Sequence, residues 1–198
     1  MIRKIIGLLV VLLLSFPALV TADTAFSCPD PGLVILNATT RDEIEKAYPY
    51  GSQPGSVFRN GETVEIVTYT QTSVRKSLAV AKKVTPARAL SFYFLDGILV
   101  GYEFVSSFKE DHTDFDDAQV AEIKQGETTI EDVADLLGKA CGQHVYPLVS
   151  GDAKRALVYS YTQVKGTFKL QIFTKTLLVT TDSSGVVMEV TLEASGER

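Results

Sequence analysis

Apolar positions along this chain change period twice, and the second half shows the changes most clearly. Over residues 114–123, Phe115, Ala118 and Ala121 share one helical face behind acidic first-turn residues. Thr113 or Asp114 would cap this helix, and Gly126 stands where a left-handed C-terminal residue is wanted. Thr128-Thr129-Ile130-Glu131 then reads as a capping box. It opens a second helix in which Val133, Leu136 and Leu137 fall at i, i+3 and i+4, ending at Gly138. Beyond a polar loop through Gly142, His144, Gly151 and Asp152 the period becomes two, which predicts strands over 156–162, 168–181 and 186–192. Ser184-Gly185 is a tight-turn signal that makes the last two a hairpin.

The first half carries a fainter copy of the same order. An offset of 89 residues (123 − 34) sets Val34 on Ile123, Thr39-Thr40 on Thr128-Thr129 and Ile44 on Val133, while Asp96-Gly97 falls on Ser184-Gly185 at an offset of 88. The copy predicts a helix over 40–48 and strands over 64–70, 90–95 and 98–106. A lysine-rich stretch between Thr72 and Ala89 reads as an exposed loop or strand extension. One such unit covers only one sheet face, so two should unite to build a core. The expected fold class is therefore α+β: a tandem of helix-helix-three-stranded antiparallel meander units, residues 23–108 and 109–198, joined at 109–113.

Residues 1–22 read as an export signal, with Arg3 and Lys4 ahead of an apolar run and a small-residue processing pattern at Val20-Thr21-Ala22. Export makes Cys28 and Cys141 candidates for a disulfide. A loop of that length would stabilise the fold by about 4–5 kcal/mol through the unfolded chain. A competing reading makes Cys28 a lipid-attachment site behind an imperfect lipobox, Thr24-Ala25-Phe26-Ser27, and a disulfide, lipidation and two free thiols all stay open. A net charge of −5 without a basic stripe argues against nucleic acid as a partner.

Val120-Ala-Glu-Ile123-Lys-Gln-Gly126-Glu-Thr128-Thr129-Ile-Glu131-Asp-Val133, then Leu137-Gly138, Tyr159-Ser-Tyr161 and the Ser184-Gly185 turn, resemble the SmpA/OmlA (BamE) outer-membrane lipoprotein domain. The resemblance covers roughly residues 115–192 and rests on fold-encoding positions: Gly126, Thr128, Thr129, Glu131, Val133, Leu137, Gly138 and Gly185. Ala140-Cys141 departs from it, since family members usually have proline shortly after the Leu-Gly. The doubled arrangement is similar in architecture to β-lactamase-inhibitor protein. The first resemblance implies a periplasmic or outer-membrane-associated adaptor, linked to the β-barrel assembly machinery or to envelope integrity. The second implies a secreted or periplasmic enzyme-inhibitor or ligand-binding module.

Reactive groups are sparse. His112 and His144 lie in predicted polar loops, no G-x-S-x-G elbow occurs, and Cys141 beside His144 lacks a third orienting group. Glu110, Asp111, Asp114, Asp116 and Asp117 lack calcium-loop spacing and suit a helix N-terminus instead. No cofactor or metal is expected, and the chain reads as a non-enzyme. Tyr69, Tyr93, Tyr102, Tyr159 and Tyr161 lie on predicted strands, where they either pack the sheet or, on an uncovered face, offer a partner surface. Lys76, Lys82, Lys83 and Arg88 make the one basic patch.

Overall fold

A computed structural model describes residues 26–49, 51–149, 155–166 and 170–197. The expected signal segment 1–22, Gly151, Asp152 and Phe168 lie outside the described residues.

Alternation of side chains dominates the result. In chain order the elements are α1 (Arg41–Ala47), β1 (Ser52–Arg59), β2 (Glu62–Thr72), a single 3-10 turn (Lys76–Leu78), β3 (Val84–Thr85), β4 (Ala87–Leu95), β5 (Ile98–Ser106), α2 (Asp117–Val120), α3 (Ile130–Leu137), β6 (Gly142–His144), β7 (Arg155–Lys165), β8 (Gln171–Thr181) and β9 (Val187–Ser195). They form one nine-stranded antiparallel sheet ordered β1-β2-β4-β5-β6-β7-β8-β9, with β3 pairing β7. The expected α+β tandem of helix-helix-meander units is overturned. Among the described residues the first half has one short α-helix and no helical hairpin, and strands outside the expected meanders run the sheet through without a break.

Three local reasons account for the difference. Helix α2 is only four residues long, capped by Asp116 rather than by Thr113 or Asp114. The carbonyl of Phe115, which a longer helix would use for its own ladder, accepts a bond from Lys175 Nζ. The stretch expected as an exposed loop or strand extension contains a separate strand, β3, whose Val84 is fully buried and pairs with Lys165. The supposed polar loop contains β6, which fills the gap between β5 and β7.

The helices that form do so for the reasons visible in the chain. Thr40 caps α1 in a box with Glu43, and Thr129 caps α3 in a box with Asp132. Glu131 is therefore not the box partner. Thr128 instead accepts from the Lys124 amide and holds the preceding turn. Gly138 ends α3 at φ 79°, ψ −178°, a region open essentially to glycine alone rather than the left-handed helical cap expected. Gly126 and Gly185 also have positive φ, 78° and 83°.

Both halves attach their helix to the sheet through matched bonds. Asn37 N donates to Leu99 O, and Leu99 N to Thr39 O; Gly126 N donates to Val187 O, and Val187 N to Thr128 O. Arg41 N to Gly97 O likewise matches Ile130 N to Gly185 O. Helices α1 and α3 thus lie on the same face of the sheet, because Tyr102 pairs Gln143 and Gln143 pairs Leu157, which keeps Tyr102 and Leu157 on one side. On that helix face Ile44 packs with Tyr69, Leu90, Phe92 and Phe104, and Val133 with Leu157, Tyr159, Leu177 and Val179. A smaller cluster, Val64, Tyr93, Val100 and Val145, covers part of the opposite face.

Candidate functional site

Chemistry-bearing side chains gather at three places, each set by strand alternation. The first is the centre of the face away from the helices. Glu103 on β5 and His144 on β6 project there with Nε2 and Oε1 3.0 Å apart, too oblique for a straight hydrogen bond. The ring of Tyr93 meets His144 edge-on at 5.1 Å, and its hydroxyl is hydrogen-bonded to Glu103. Burial, and secondarily the Glu103 charge, pushes the Tyr93 hydroxyl well above its ordinary range. Leu148 closes the trio from above, lying over Gly101 so closely that a Cβ there would come within 2.5 Å of its Cδ1. Asn60 pins that cover by donating to Pro147 O and Val149 O. These groups are enclosed, so the trio is a packed polar knot without room for a substrate.

The second place is the helix face, where two cations are buried. Arg88 on β4 donates to Phe26 O at 3.0 Å, to Asp111 at 2.8 Å and to Glu110 at 2.7 Å, with its guanidinium 4.1 Å over the Phe108 ring. Lys175 on β8 bonds Phe115 O and Asp117, lies 2.9 Å from Asp114 and sits 4.0 Å over the Phe115 ring. Arg88 therefore leaves the basic patch expected for it, and Glu110, Asp111, Asp114 and Asp117 serve as counter-ions to these two cations, while Asp116 caps α2. Among the described residues no group of three or more His, Cys, Asp or Glu is placed to hold a metal ion.

Cys28 and Cys141 form a disulfide, which uses the thiol that a Cys141 nucleophile would need. The bond also occupies the sulfur that lipid attachment at Cys28 would require. His112 is exposed on the linker.

No family model, curated protein or solved structure matches this chain.

All five strand tyrosines are buried, so none of them lines an uncovered face. Tyr69, Tyr102, Tyr159 and Tyr161 point to the helix face, and Tyr93 lies beneath the 145–149 segment. Tyr159 donates to the Gly138 carbonyl at 2.8 Å, and its burial pushes the hydroxyl up to about 12.

The third place is the opposite face of β8 and β9, with Thr162 of β7, which stays open. Thr162, Thr174, Thr176, Leu178, Thr180 and Thr191 alternate with the core residues and stay half-exposed, bordered by exposed Glu189 and Glu193, whereas Ala156, Val158, Val164 and the Ser160 hydroxyl on the same side of β7 are buried. None of them belongs to a buried cluster. The sequence signal for this surface was Thr174-Lys-Thr176-Leu-Leu-Val-Thr180, with small hydroxyls at three of four alternate positions and Leu178 at the other.

Proposed function

We propose that the protein is an exported, non-catalytic adaptor that binds another envelope protein. The hydroxyl-lined open face of β8 and β9, continued by Thr162 of β7, carries this reading: it is rigidly backed by the Leu177, Val179 and Tyr159 core, and holds no convergent acid, base or nucleophile. A surface of short side chains pinned by a sheet loses little rotamer freedom when a partner covers it. The disulfide supports an oxidising compartment. The resemblance of residues 115–192 to SmpA/OmlA domains supports a partner in outer-membrane barrel assembly or envelope integrity.

The test is photo-crosslinking in the native host. A photoreactive residue at Thr162 or Thr176 should give one discrete adduct with an envelope protein, while the same residue at Glu131, on the exposed side of α3, should give none. Absence of a discrete adduct from both open-face positions would reject the adaptor. An adduct with one soluble enzyme whose activity falls on binding would replace it with an inhibitor.

A further inference from the structure

Strands β5 and β9 are built alike. Each carries a bulge one residue long, at Val100 between the Tyr93–Gly101 and Phe94–Leu99 pairs, and at Met188 between the Thr180–Glu189 and Thr181–Val187 pairs. Leu99 and Val187, just before the bulges, make the same two bonds to the segments ahead of α1 and α3.

Their outer edges fare differently. The outward backbone of β5 is satisfied along its length: Val145 N donates to Val100 O, Phe104 N to Cys141 O, and Thr113 N to Ser106 O. Strand β6 supplies most of this, running antiparallel to β5. The positions of β9 that correspond to Tyr102, Phe104 and Ser106 are Val190, Leu192 and Ala194. Among the described residues no strand pairs with that side of β9. The other end of the sheet is blunted, since edge strand β1 contains Pro54 followed by Gly55. Strand β9 has neither residue over its nine positions.

We infer that the outer edge of β9 accepts an extended segment of a partner protein as an added antiparallel strand, alternating apolar and basic side chains. The place of β6 against β5 is the internal template for that strand. Its composition follows from the pairing. Residues opposite Val190, Leu192 and Ala194 would continue the apolar helix face, where Val190 already packs with the core and Leu192 remains 41 % exposed. Residues opposite Glu189, Thr191 and Glu193 would lie on the open face and meet two carboxylates. The same carboxylates disfavour a second copy of this chain, because two β9 strands would bring like charges together. This inference rests on the adaptor reading and names its partner chemistry.

The probe is a short end-blocked peptide of alternating lysine and valine, added to the disulfide-intact protein. Amide exchange at Val190, Leu192 and Ala194 should slow on addition, and the alternating glutamate and valine peptide should bind about tenfold more weakly or worse. Leu192→Pro removes an outward N–H and leaves the inner ladder to β8 in place, so it should keep the melting temperature and lose about tenfold or more in affinity. Combined Glu189→Lys and Glu193→Lys should reverse the preference between the two peptides. Unchanged exchange at the three amides, or equal binding by the Leu192→Pro protein, would overturn the inference while leaving crosslinks from Thr162 and Thr176 to stand for the adaptor. A concentration-dependent dimer abolished by Leu192→Pro would assign the edge to a second copy and overturn it too.

Discussion

Arg88 and Lys175 do the same thing in the two halves of the sheet: each sits buried on a strand flanked by two others and donates to the backbone carbonyl of a phenylalanine, Phe26 or Phe115. The two carbonyls are 89 residues apart (115 − 26), the spacing at which the helix caps recur. Each cation also draws in two acids from 110–117, so the segment between the halves is held from both sides.

Lys175→Met keeps the stem packed against Phe115 but leaves Asp114 and Asp117 without their cation. The acids are partly exposed and can rehydrate, so the cost should be about 2–3 kcal/mol, below that of breaking a wholly buried pair. Urea midpoints of the variant and wild type measure it.

Reduction of the Cys28–Cys141 bond opens a loop spanning 113 residues. Stability should fall by about 4–5 kcal/mol, because the unfolded chain regains that freedom. Thermal melts with and without reductant, checked against a Cys28→Ser, Cys141→Ser double variant, read the difference.

A Cβ added at Gly138 would have no neighbouring atom within 4 Å, so alanine there meets only a backbone cost. At φ 79°, ψ −178° that cost should be roughly 1–3 kcal/mol. Denaturant unfolding of Gly138→Ala decides it; a curve matching wild type would reject the assigned conformation.

Gly101→Ala fails for a different reason. Its Cβ would meet Leu148 and the His144 ring at 2.5 and 2.7 Å, displacing the cover over Tyr93 and Glu103. The loss should be about 1–3 kcal/mol, accompanied by faster proteolysis within 145–149.

Alkaline pH should weaken the fold. An unfolded tyrosine ionises near pH 10 whereas Tyr159 holds its proton to about 12, so between these values the unfolded state carries fewer protons and stability falls as pH rises. The contribution is fully present below pH about 10. Tyr159→Phe should lose about 1 kcal/mol at neutral pH, with the bond to Gly138 O, and show a shallower decline above pH about 10 in urea titrations.

The chain announces some of this and conceals the rest. Thr40, Asp96-Gly97 and Ser184-Gly185 act through their own neighbours, so the helix start and hairpin turns they mark are where the sequence places them, while the second capping box falls one residue later than read, on Thr129 and Asp132 in place of Thr128 and Glu131. Strand β1 hides because Ser52-Gln-Pro-Gly-Ser56 has the composition of a turn, although Asn60-Gly61 after it is a strong hairpin signal, with φ of 48° and 89°. Strands β3 and β6 are too short to show a period, and their pairing with β7 and β5 is decided by distant backbone. The tyrosines fail for a related reason. Alternation sorts Tyr69, Tyr159 and Tyr161 onto one side of a strand, but only the position of the helices says that this side is the covered one.

The disulfide joins a residue ahead of the 109–113 linker to one beyond it, so the polypeptide forms a closed covalent ring that includes the linker. A protease that cuts after exposed Lys109 would therefore linearise the ring without freeing a fragment. The nicked molecule should migrate as two pieces on a denaturing gel only after its sulfurs are reduced, a form of resistance to extracellular proteolysis that needs no protection of the cleaved bond itself.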